Sequence, residues 1–334
     1  MNSKIDILEN EILQKYPSIL EILLKDQTTQ KNIIWATNNY ESFGARYLKE
    51  SSVEIDLITG VNGNVIMPRV KKNISSQLSR TKGMAEVFTP SWVCNLQNNS
   101  IDNLWFDREN VFNREIKTGN SISWKTTKER IIFPKGKRWK DYIQQRRLEI
   151  TCGEAPYVTS RYDTVSGQFI EVEDRIGFLD RKLRIINENI DSSREWLRAA
   201  QIAYKNTYAF EWQGDSLLLA RQSLLFTFIE NYKYKFKKEP LMRSVRCIAD
   251  IISWNIWQMD GLKGVIPFSC DKTIQKNMNL LPNEKANHGY CQGCVNNSIL
   301  DHNGVYCLIK DWKAKDKKTG RTSKKIIFID LIKS

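Results

Sequence analysis

Cysteine residues near the C-terminal end of the sequence have the types and spacing of metal ligands. Cys291 and Cys294 are separated by two residues, and Gly293 between them permits a tight turn that directs both thiolates at one ion. The surrounding segment is polar and could bury little apolar surface. We therefore expect a bound ion to supply much of its folding energy, as in small structural zinc sites.

The other ligands of this site remain open at the level of sequence. A tetrahedral zinc ion needs four ligands. Cys270 and Cys307 would complete a set of four thiolates, and His302 or His288 could replace one of them. Incidental cysteines in a loop, or a redox pair, are the alternatives. The spacing favours a structural zinc ion over a catalytic one.

A second group of residues has the types expected around a nucleotide-like cofactor. Cys152 and Gly153 follow one short predicted strand, and Glu211 ends another. Cofactors of α/β proteins lie beyond the carboxyl ends of the strands, where glycine lets the backbone approach the ligand and a carboxylate accepts hydrogen bonds from ribose hydroxyls. The pattern therefore predicts a cofactor site at these strand ends.

The elements that would position this site lie between residues 148 and 263. Strand and helix patterns alternate there: strands are predicted at 148–151 and 208–211, and helices at 175–187, 195–203, 216–234 and 245–252. Such alternation is typical of a doubly wound α/β sheet. The fold class predicted from sequence is therefore α/β.

The N-terminal region has a different pattern. Apolar residues at helical spacing predict two helices within residues 4–25, separated at Pro17 with Ser18 as the N-cap. Residues 53–71 alternate around a glycine pair and predict a hairpin. This region is expected to flank the sheet.

The remaining segments predict less regular structure. Residues 98–145 are irregular, with strand-like pieces such as 131–133, and residues 325–331 predict a last strand or the start of a helix. The expected organisation is N-terminal helices and hairpin (1–84), a cofactor-flanking segment with an insertion (85–147), an α/β core (148–263), a zinc-binding insertion (264–320) and a terminal strand (321–334).

Five short motifs follow one another between residues 85 and 262. They are Val-Phe-Thr-Pro-Ser-Trp-Val-Cys (87–94), Glu-Ile-Thr-Cys-Gly-Glu-Ala (149–155), Ala-Phe-Glu (209–211), Leu-Ala-Arg-Gln-Ser-Leu-Leu (219–225) and Gln-Met-Asp-Gly-Leu (258–262). Their order and composition resemble the cofactor-binding half of adenine-specific DNA methyltransferases of restriction-modification systems. In the second motif, the family's proline corresponds to Ile150 and its last glycine to Ala155.

The resemblance implies an S-adenosylmethionine site on a Rossmann-like methyltransferase core with an incomplete sheet. The residues it implies around the cofactor are Phe88, Thr89 and Pro90 beside the methionine part, Glu149, Cys152 and Gly153 around the methionyl and ribose portions, Glu211 at the ribose hydroxyls, and Asp260 at the adenine amine.

The catalytic motif of the same family, Asn/Asp-Pro-Pro-Tyr/Phe, does not occur, and the 8 prolines include no Pro-Pro dipeptide. In the family this loop holds the target amine and stacks on a base flipped from the duplex. We therefore predict no catalytic residue. The resemblance implies a methyltransferase whose catalytic and target-recognition parts come from a second polypeptide or a further segment, as in a truncated or split gene. The bare edge of the first strand would be covered by that partner or by residues 326–331.

The net charge of +13 and the pI of about 9.3 favour a polyanionic partner, double-stranded DNA first. Two basic clusters carry much of this charge: Lys135, Lys137, Arg138, Lys140, Arg146 and Arg147, and then Lys310, Lys313, Lys315, Lys317, Lys318, Arg321, Lys324 and Lys325. Seven cysteines, an odd number, and the lack of a leader or a long apolar run predict a cytoplasmic protein with no membrane partner.

Two other functions remain open. The chain could be an inactive, zinc-stabilised remnant that binds DNA through its lysines. Less favoured is a restriction nuclease subunit, since Glu115 and Lys117 after Asp107 faintly resemble a metal-dependent nuclease core. Cofactor binding distinguishes the methyltransferase from the remnant, and magnesium-dependent cleavage would support the nuclease.

Overall fold

The structure is a computed structural model that describes residues 5–7, 9–73, 77–78, 80–82, 89–119, 121–270, 291–314 and 322–332. These residues form a mixed α/β protein. In chain order, the elements are α1 (Glu9–Lys15), α2 (Pro17–Leu24), α3 (Ser91–Phe106), β1 (Asn113–Thr118), β2 (Ser121–Thr126), α4 (Trp139–Ile143), β3 (Arg147–Glu149), α5 (Phe178–Asn189), α6 (Ser193–Lys205), β4 (Thr207–Glu211), α7 (Gly214–Phe236), α8 (Met242–Asn255), β5 (Ile256–Gln258), α9 (Gln292–Asn296), β6 (Leu308–Asp311) and β7 (Lys324–Ile327).

A parallel sheet of three short strands, in the order β3-β4-β5, positions the candidate cofactor site. Successive side chains of a strand point to opposite faces, and here both faces are buried. Ala209 and Ile256 belong to the main core, which they share with the helices. Phe210 and Trp257 belong to a smaller core on the other face. Burial on both faces explains why β4 and β5 consist largely of apolar residues.

The smaller core is closed by the antiparallel pair β6–β7. In that pair Ile309 lies opposite Ile326, and the ring of Phe328 lies 5.4 Å from that of Trp257. Residues 326–331 therefore cover a face of the sheet. The prediction that they cover the bare edge of β3 is not confirmed as strand pairing, because within the described ranges β3 pairs with β4 alone.

The four helices predicted between residues 175 and 252 are confirmed as α5 to α8, with ends that differ by a few residues. Most residues of α7 are buried, polar residues such as Arg221 and Asn231 included, because helices and strands pack against it on several sides. It begins at Gly214, where an added Cβ would lie 2.1 Å from the carbonyl oxygen of Ile34. This close approach brings the N-terminal segment against the carboxyl end of β4.

The N-terminal region is partly as predicted. Two helices are separated at Pro17, which is the first residue of α2, whereas Ser18 lies inside the helix and is not its N-cap. The hairpin predicted at 53–71 was wrong, because this segment forms short 3₁₀ turns. The Asn10 side chain binds the N–H and C=O groups of Gly60, at 2.7 and 3.1 Å, and thereby fixes one of these turns.

Residues 91–143 are more regular than the sequence indicated. They form α3, the β1–β2 hairpin and α4, and residues 131–133 are not a strand. α3 buries polar residues, so an apolar periodicity could not reveal it. Asn95 exchanges hydrogen bonds with Asn113, and Asp102 pairs with Arg181 at 2.6 Å. Polar burial is tolerated there because these side chains find partners.

No helix in the described part of the chain is both long enough and apolar enough to cross a membrane.

Candidate functional site

A cavity of about 1370 Å³ opens at the carboxyl ends of β3 and β4. Five of the eight residues implied by the methyltransferase resemblance line it: Thr89, Glu149, Cys152, Gly153 and Glu211. These residues meet because adjacent parallel strands end at the same edge of the sheet. The cavity is large enough for a nucleoside-sized ligand, since small-molecule sites typically span roughly 300–1,000 Å³.

The turn after β3 has an unusual backbone. Thr151, Gly153 and Ala155 have φ values of 47°, 54° and 60°, the left-handed region that favours glycine. The N–H of Cys152 still donates to the carbonyl oxygen of Phe210 at 2.9 Å. The chain therefore coils tightly directly beyond the sheet and holds Gly153 against the end of β4.

Glu211, the last residue of β4, connects two loops at the cavity. Its Oε2 accepts a hydrogen bond of 2.7 Å from the N–H of Gly153, and its Oε1 accepts one of 3.1 Å from the N–H of Gln213. Burial raises the pKa of Glu211, and these N–H groups partly counter that effect. A carboxylate offers about four acceptor positions, so Glu211 could also accept a ligand hydroxyl.

Glu149 ends the neighbouring strand and lines the same cavity. Its Oε2 accepts a hydrogen bond of 3.2 Å from the N–H of Val158. Burial raises the pKa of Glu149 well above its usual value, and the charge of Glu211 raises it further. A cationic group in the cavity would favour the ionised form of both acids.

The Cys152 thiol lines the cavity but is not suited to nucleophilic chemistry. Burial raises its pKa well above the usual value, and the nearby acids Glu149 and Glu211 raise it further. Since the thiolate is the reactive form, Cys152 acts here as a small apolar wall residue.

An aromatic wall completes the cavity on the side of Glu211. The rings of Trp212 and Phe268 meet edge to face, with centroids 5.3 Å apart at 82°. The indole N–H of Trp212 donates to the carbonyl oxygen of Ala36 at 3.0 Å, and the Lys49 ammonium lies 5.2 Å from the Phe268 ring centroid. Sequence reasoning missed these residues. Adjacency to Glu211 could have indicated Trp212, whereas no local signal marks Phe268.

Three of the implied residues do not line this cavity in the described structure. Phe88 lies outside the described residues. Pro90 is the N-cap of α3. Asp260 lies in the turn after β5, where its carboxylate accepts the N–H of Leu262 at 3.1 Å and lies 3.5 Å from the Lys263 ammonium. Its oxygens therefore stabilise their own turn.

A second candidate site is the cluster of Cys270, Cys291, Cys294 and His302, whose potential ligand atoms all lie within 4.8 Å of one another. The three Sγ atoms lie 3.6, 3.4 and 3.7 Å from the His302 Nδ1, in that order. Tetrahedral zinc with its usual bond lengths places sulfur and nitrogen ligands about 3.5 Å apart. The cluster could therefore hold a metal ion with little rearrangement.

Two glycines allow this cluster to close. A Cβ on Gly293 would lie 2.6 Å from the Nδ1 of His302, and a Cβ on Gly304 would lie 2.9 Å from the Sγ of Cys270. Glycine at position 293 is therefore favoured by the close approach of His302 as well as by the tight turn between Cys291 and Cys294. Sequence analysis identified Gly293 for its turn geometry but did not identify Gly304.

The electrostatics of the cluster also fit a cation. Burial and the neighbouring sulfurs raise the pKa of Cys270 to about 12. At Cys291 burial has the same tendency, but the N–H groups of Asn303, at 3.3 Å from Sγ, and of Cys294 outweigh it and lower the pKa to about 6. Three adjacent thiolates would repel one another, so a cation is needed to stabilise them together.

Of the ligands left open by the sequence, the structure gathers His302 and does not gather Cys307. Cys307 is fully buried in the smaller core, where its thiol donates to the carbonyl oxygen of Gln258 at 3.4 Å. Burial raises the pKa of Cys307 well above its usual value. A four-cysteine set is therefore not the one the structure brings together. His288 lies outside the described residues.

The nuclease-like residues form no comparable cluster. The carboxylate of Glu115 lies 3.1 Å from the ammonium of Lys117 on the β1–β2 hairpin. Asp107 is the left-handed C-cap of α3. Within the described ranges, neither residue belongs to a group of three or more potential metal ligands.

In comparisons with known proteins, no family model, curated protein or solved structure matched this chain.

Proposed function

We propose that the cavity binds S-adenosylmethionine, and that the chain is the cofactor-binding part of a site-specific DNA adenine methyltransferase. The observation that carries this proposal is the position of Glu149 and Glu211. They end adjacent parallel strands and line one cavity, with a left-handed turn at Gly153 between them. In this proposal β3, β4 and β5 are an incomplete Rossmann-like core.

The backbone of the turn gives further support. The methyltransferase motif has glycine at the positions of Gly153 and Ala155, and both residues have left-handed φ values here. A position that needs this conformation favours glycine. The geometry therefore agrees with the motif at both positions, although this chain has alanine rather than glycine at 155. Ala155 adopts the same conformation at a cost of roughly 1 kcal/mol.

The chemistry of the cavity fits the parts of the cofactor. Glu211 would accept the ribose hydroxyls, and the charge of the sulfonium group would favour ionisation of Glu149. Trp212 and Phe268 offer an aromatic wall for the adenine ring. This wall would recognise the adenine ring, a role that the family resemblance implied for Asp260.

The proposal needs a catalytic loop supplied by a second chain or by a further segment. Leu148 in β3 and Ile150 just after it are 45% and 65% exposed, and no strand among the described residues pairs with that edge of β3. Leu148 also lines a groove of about 190 Å³ together with Ile326, Phe328 and Leu331. A strand carrying the catalytic loop would pair with β3 and bury these apolar side chains.

Calorimetric titration with S-adenosylmethionine tests the proposal. Wild-type protein should bind at micromolar affinity or better. Glu211→Ala should weaken binding at least tenfold, because the ribose hydroxyls lose their acceptor, and Asn39→Trp should weaken it by placing an indole at the exposed rim of the cavity. Glu195→Ala, on the exposed side of α6, is the matched control and should bind like wild type.

Circular dichroism of each variant separates loss of binding from loss of fold. Absence of binding by folded wild-type protein at millimolar ligand would refute the proposal. Equal affinity in wild type, Glu211→Ala and Asn39→Trp would mean that the ligand binds at another site. That result would refute the assignment of this cavity.

The alternative function, an inactive DNA-binding remnant, is favoured by a group of lysines on aromatic rings near the β6–β7 pair. The Lys310 ammonium lies 4.3 Å from the ring centroid of Trp312 and 5.1 Å from that of Trp254, and Lys325 also lies 5.1 Å from Trp254. Lys205 contacts Trp312 from α6. The rings position several ammonium groups on one surface, where duplex phosphates would meet them.

Duplex binding measured across a salt series tests this surface for either function. Each of Lys310→Gln and Lys325→Gln should weaken binding and reduce the slope of log affinity against log salt by about one. Lys31→Gln, an exposed lysine of the N-terminal region, is the control. Duplex binding without cofactor binding would favour the remnant, and unchanged slopes in both variants would exclude this surface.

A further inference from the structure

The candidate metal site and the candidate cofactor cavity are joined by three residues of chain. Phe268 lines the cavity and packs against Trp212, which directly follows Glu211. Cys270, two residues later, is a member of the metal cluster. The position of one ligand therefore constrains the position of one wall of the cavity.

Phe268 adopts a conformation that its own sequence does not favour. Its φ is 61°, which is uncommon for a bulky residue and persists only where the surroundings impose it. The ring is also 37% exposed, so burial alone holds it weakly. Something other than the apolar core must keep it against Trp212.

Hydrogen bonds of Ser269, the residue after Phe268, connect this part of the chain to the segment that carries His302. The Ser269 hydroxyl accepts a hydrogen bond of 3.0 Å from the N–H of Val305 and donates one of 2.7 Å to the carbonyl oxygen of Ile266. Gly304 leaves room for this arrangement, because a Cβ there would lie 2.8 Å from the Ser269 Oγ. These contacts connect the chain around Phe268 to the loop that carries His302.

We propose that a metal ion bound by Cys270, Cys291, Cys294 and His302 holds Phe268 against Trp212 and thereby sets the affinity of the cavity for its ligand. Phe268 is then a positioning residue of the cofactor site, and the metal ion is the structural element that orders it. The inference rests on the proposed S-adenosylmethionine site and adds its dependence on the metal.

Loss of the ion would act through Cys270, two residues after Phe268. Without the ion, the loop from Phe268 to Cys270 loses the ligand bond that fixes its end. The ring then leaves the position imposed by its left-handed backbone. Ligand binding and metal binding must strengthen each other by the same factor, because coupling between two sites is reciprocal.

The test is titration of S-adenosylhomocysteine into zinc-loaded and zinc-stripped wild-type protein and into the same two forms of Phe268→Ala. Stripping should weaken binding by wild type about tenfold, the order expected for loss of an aromatic contact. Zinc-loaded Phe268→Ala should bind about as weakly with an unchanged zinc content, and stripping it should have little further effect. Val295→Ala, exposed on α9, is the control for changes in the metal loop.

A second measurement uses the reciprocity. S-adenosylhomocysteine should slow zinc release to a chromogenic chelator in wild type but not in Phe268→Ala. Because Phe268→Ala leaves the four metal ligands unchanged, its rate of zinc release cannot be explained by loss of a ligand.

The outcomes separate the two proposals. If wild type binds S-adenosylhomocysteine equally well with and without zinc, the coupling is overturned and the proposed cofactor site stands. If folded, zinc-loaded wild type binds neither S-adenosylhomocysteine nor S-adenosylmethionine, both proposals are overturned. If the protein takes up no zinc, the proposed coupling is overturned, and the proposed cofactor site is not affected.

Discussion

The carboxylate of Glu211 accepts a hydrogen bond of 2.7 Å from the backbone N–H of Gly153 and thereby ties the carboxyl end of β4 to the turn that follows β3. A second bond, from the N–H of Gln213, ties the same side chain to the start of α7. One acid therefore organises three segments around the cavity. Its role in the fold and its proposed role in ligand binding are separable by substitution.

Glu211→Gln should destabilise the protein by about 1–3 kcal/mol, because the new amide nitrogen cannot accept one of the two N–H groups and leaves it unsatisfied. Urea unfolding followed by circular dichroism measures this loss. The exposed-residue control Glu195→Gln should change stability by less than about 0.5 kcal/mol. Equal midpoints for the two variants would mean that the bonds of Glu211 contribute little to the fold.

Glu9 should make stability depend on pH in the neutral range. Burial raises its pKa to about 8, from an ordinary value of 4.5, against the effect of a hydrogen bond from Gln222 at 2.8 Å. Between pH 4.5 and about 8, Glu9 therefore stays protonated in the folded state, whereas the unfolded chain releases this proton. The contribution of this group to stability is therefore fully present below pH 4.5 and is lost as the pH rises through 8.

Glu9→Gln removes that titration. We compare the melting temperature of Glu9→Gln with that of wild type at two pH values. The difference, variant minus wild type, should be more positive at pH 8.5 than at pH 5, because only wild type loses stability as Glu9 ionises. Thermal unfolding at both pH values measures the effect, with Glu11→Gln on the exposed side of α1 as the control. A difference from wild type that does not change with pH would show that Glu9 does not titrate in this window.

Gly293→Ala should release the metal without altering any ligand, because the new methyl group would lie 2.6 Å from the Nδ1 of His302. We expect zinc content, measured by elemental analysis of purified protein, to fall from about one ion per chain to well below half. Val295→Ala should retain its zinc. Full zinc content in Gly293→Ala would contradict the close approach of His302.

Tyr40→Phe should weaken the anchor at the start of α7. The Tyr40 hydroxyl donates to Asp215 at 2.6 Å, and Arg80 and Lys72 lie 2.9 and 3.2 Å from the same carboxylate. Loss of a hydrogen bond to a charged group costs about 1.5–3 kcal/mol. Chemical denaturation measures the loss. The control is Tyr234→Phe, whose hydroxyl donates to Glu173 at 3.3 Å on the exposed surface, where an ionic contact contributes little. Similar midpoints for the two variants would rule out a structural role for the buried Tyr40 bond.

The same network predicts the acid limit of stability. Burial would raise the pKa of Asp215, but Arg80 and Lys72 outweigh it and hold the pKa below its usual range. The stability that Asp215 contributes is therefore present above about pH 4 and is lost as the pH falls toward its folded value.

Local patterns were sufficient for the elements whose chemistry is apolar. Helices α5 to α8 and strand β4 follow from apolar residues at regular spacing, and Pro17 marks the start of α2. The same reasoning failed where burial is polar. α3 was missed because its buried face is polar. Asn95, Asn98 and Asp102 lie in the interior, where each is hydrogen-bonded to a residue distant in sequence.

For the two sites, the sequence by itself determined which residue types lie next to each other: an acid at the end of a strand, a glycine turn, and a pair of cysteines around Gly293. Those features depend on short-range geometry, which spacing encodes. Only the tertiary structure decided that Phe268 joins Trp212, that His302 joins the cluster, and that Cys307 and Asp260 lie elsewhere. The first three outcomes depend on contacts between segments far apart in the sequence, which spacing along the chain does not encode.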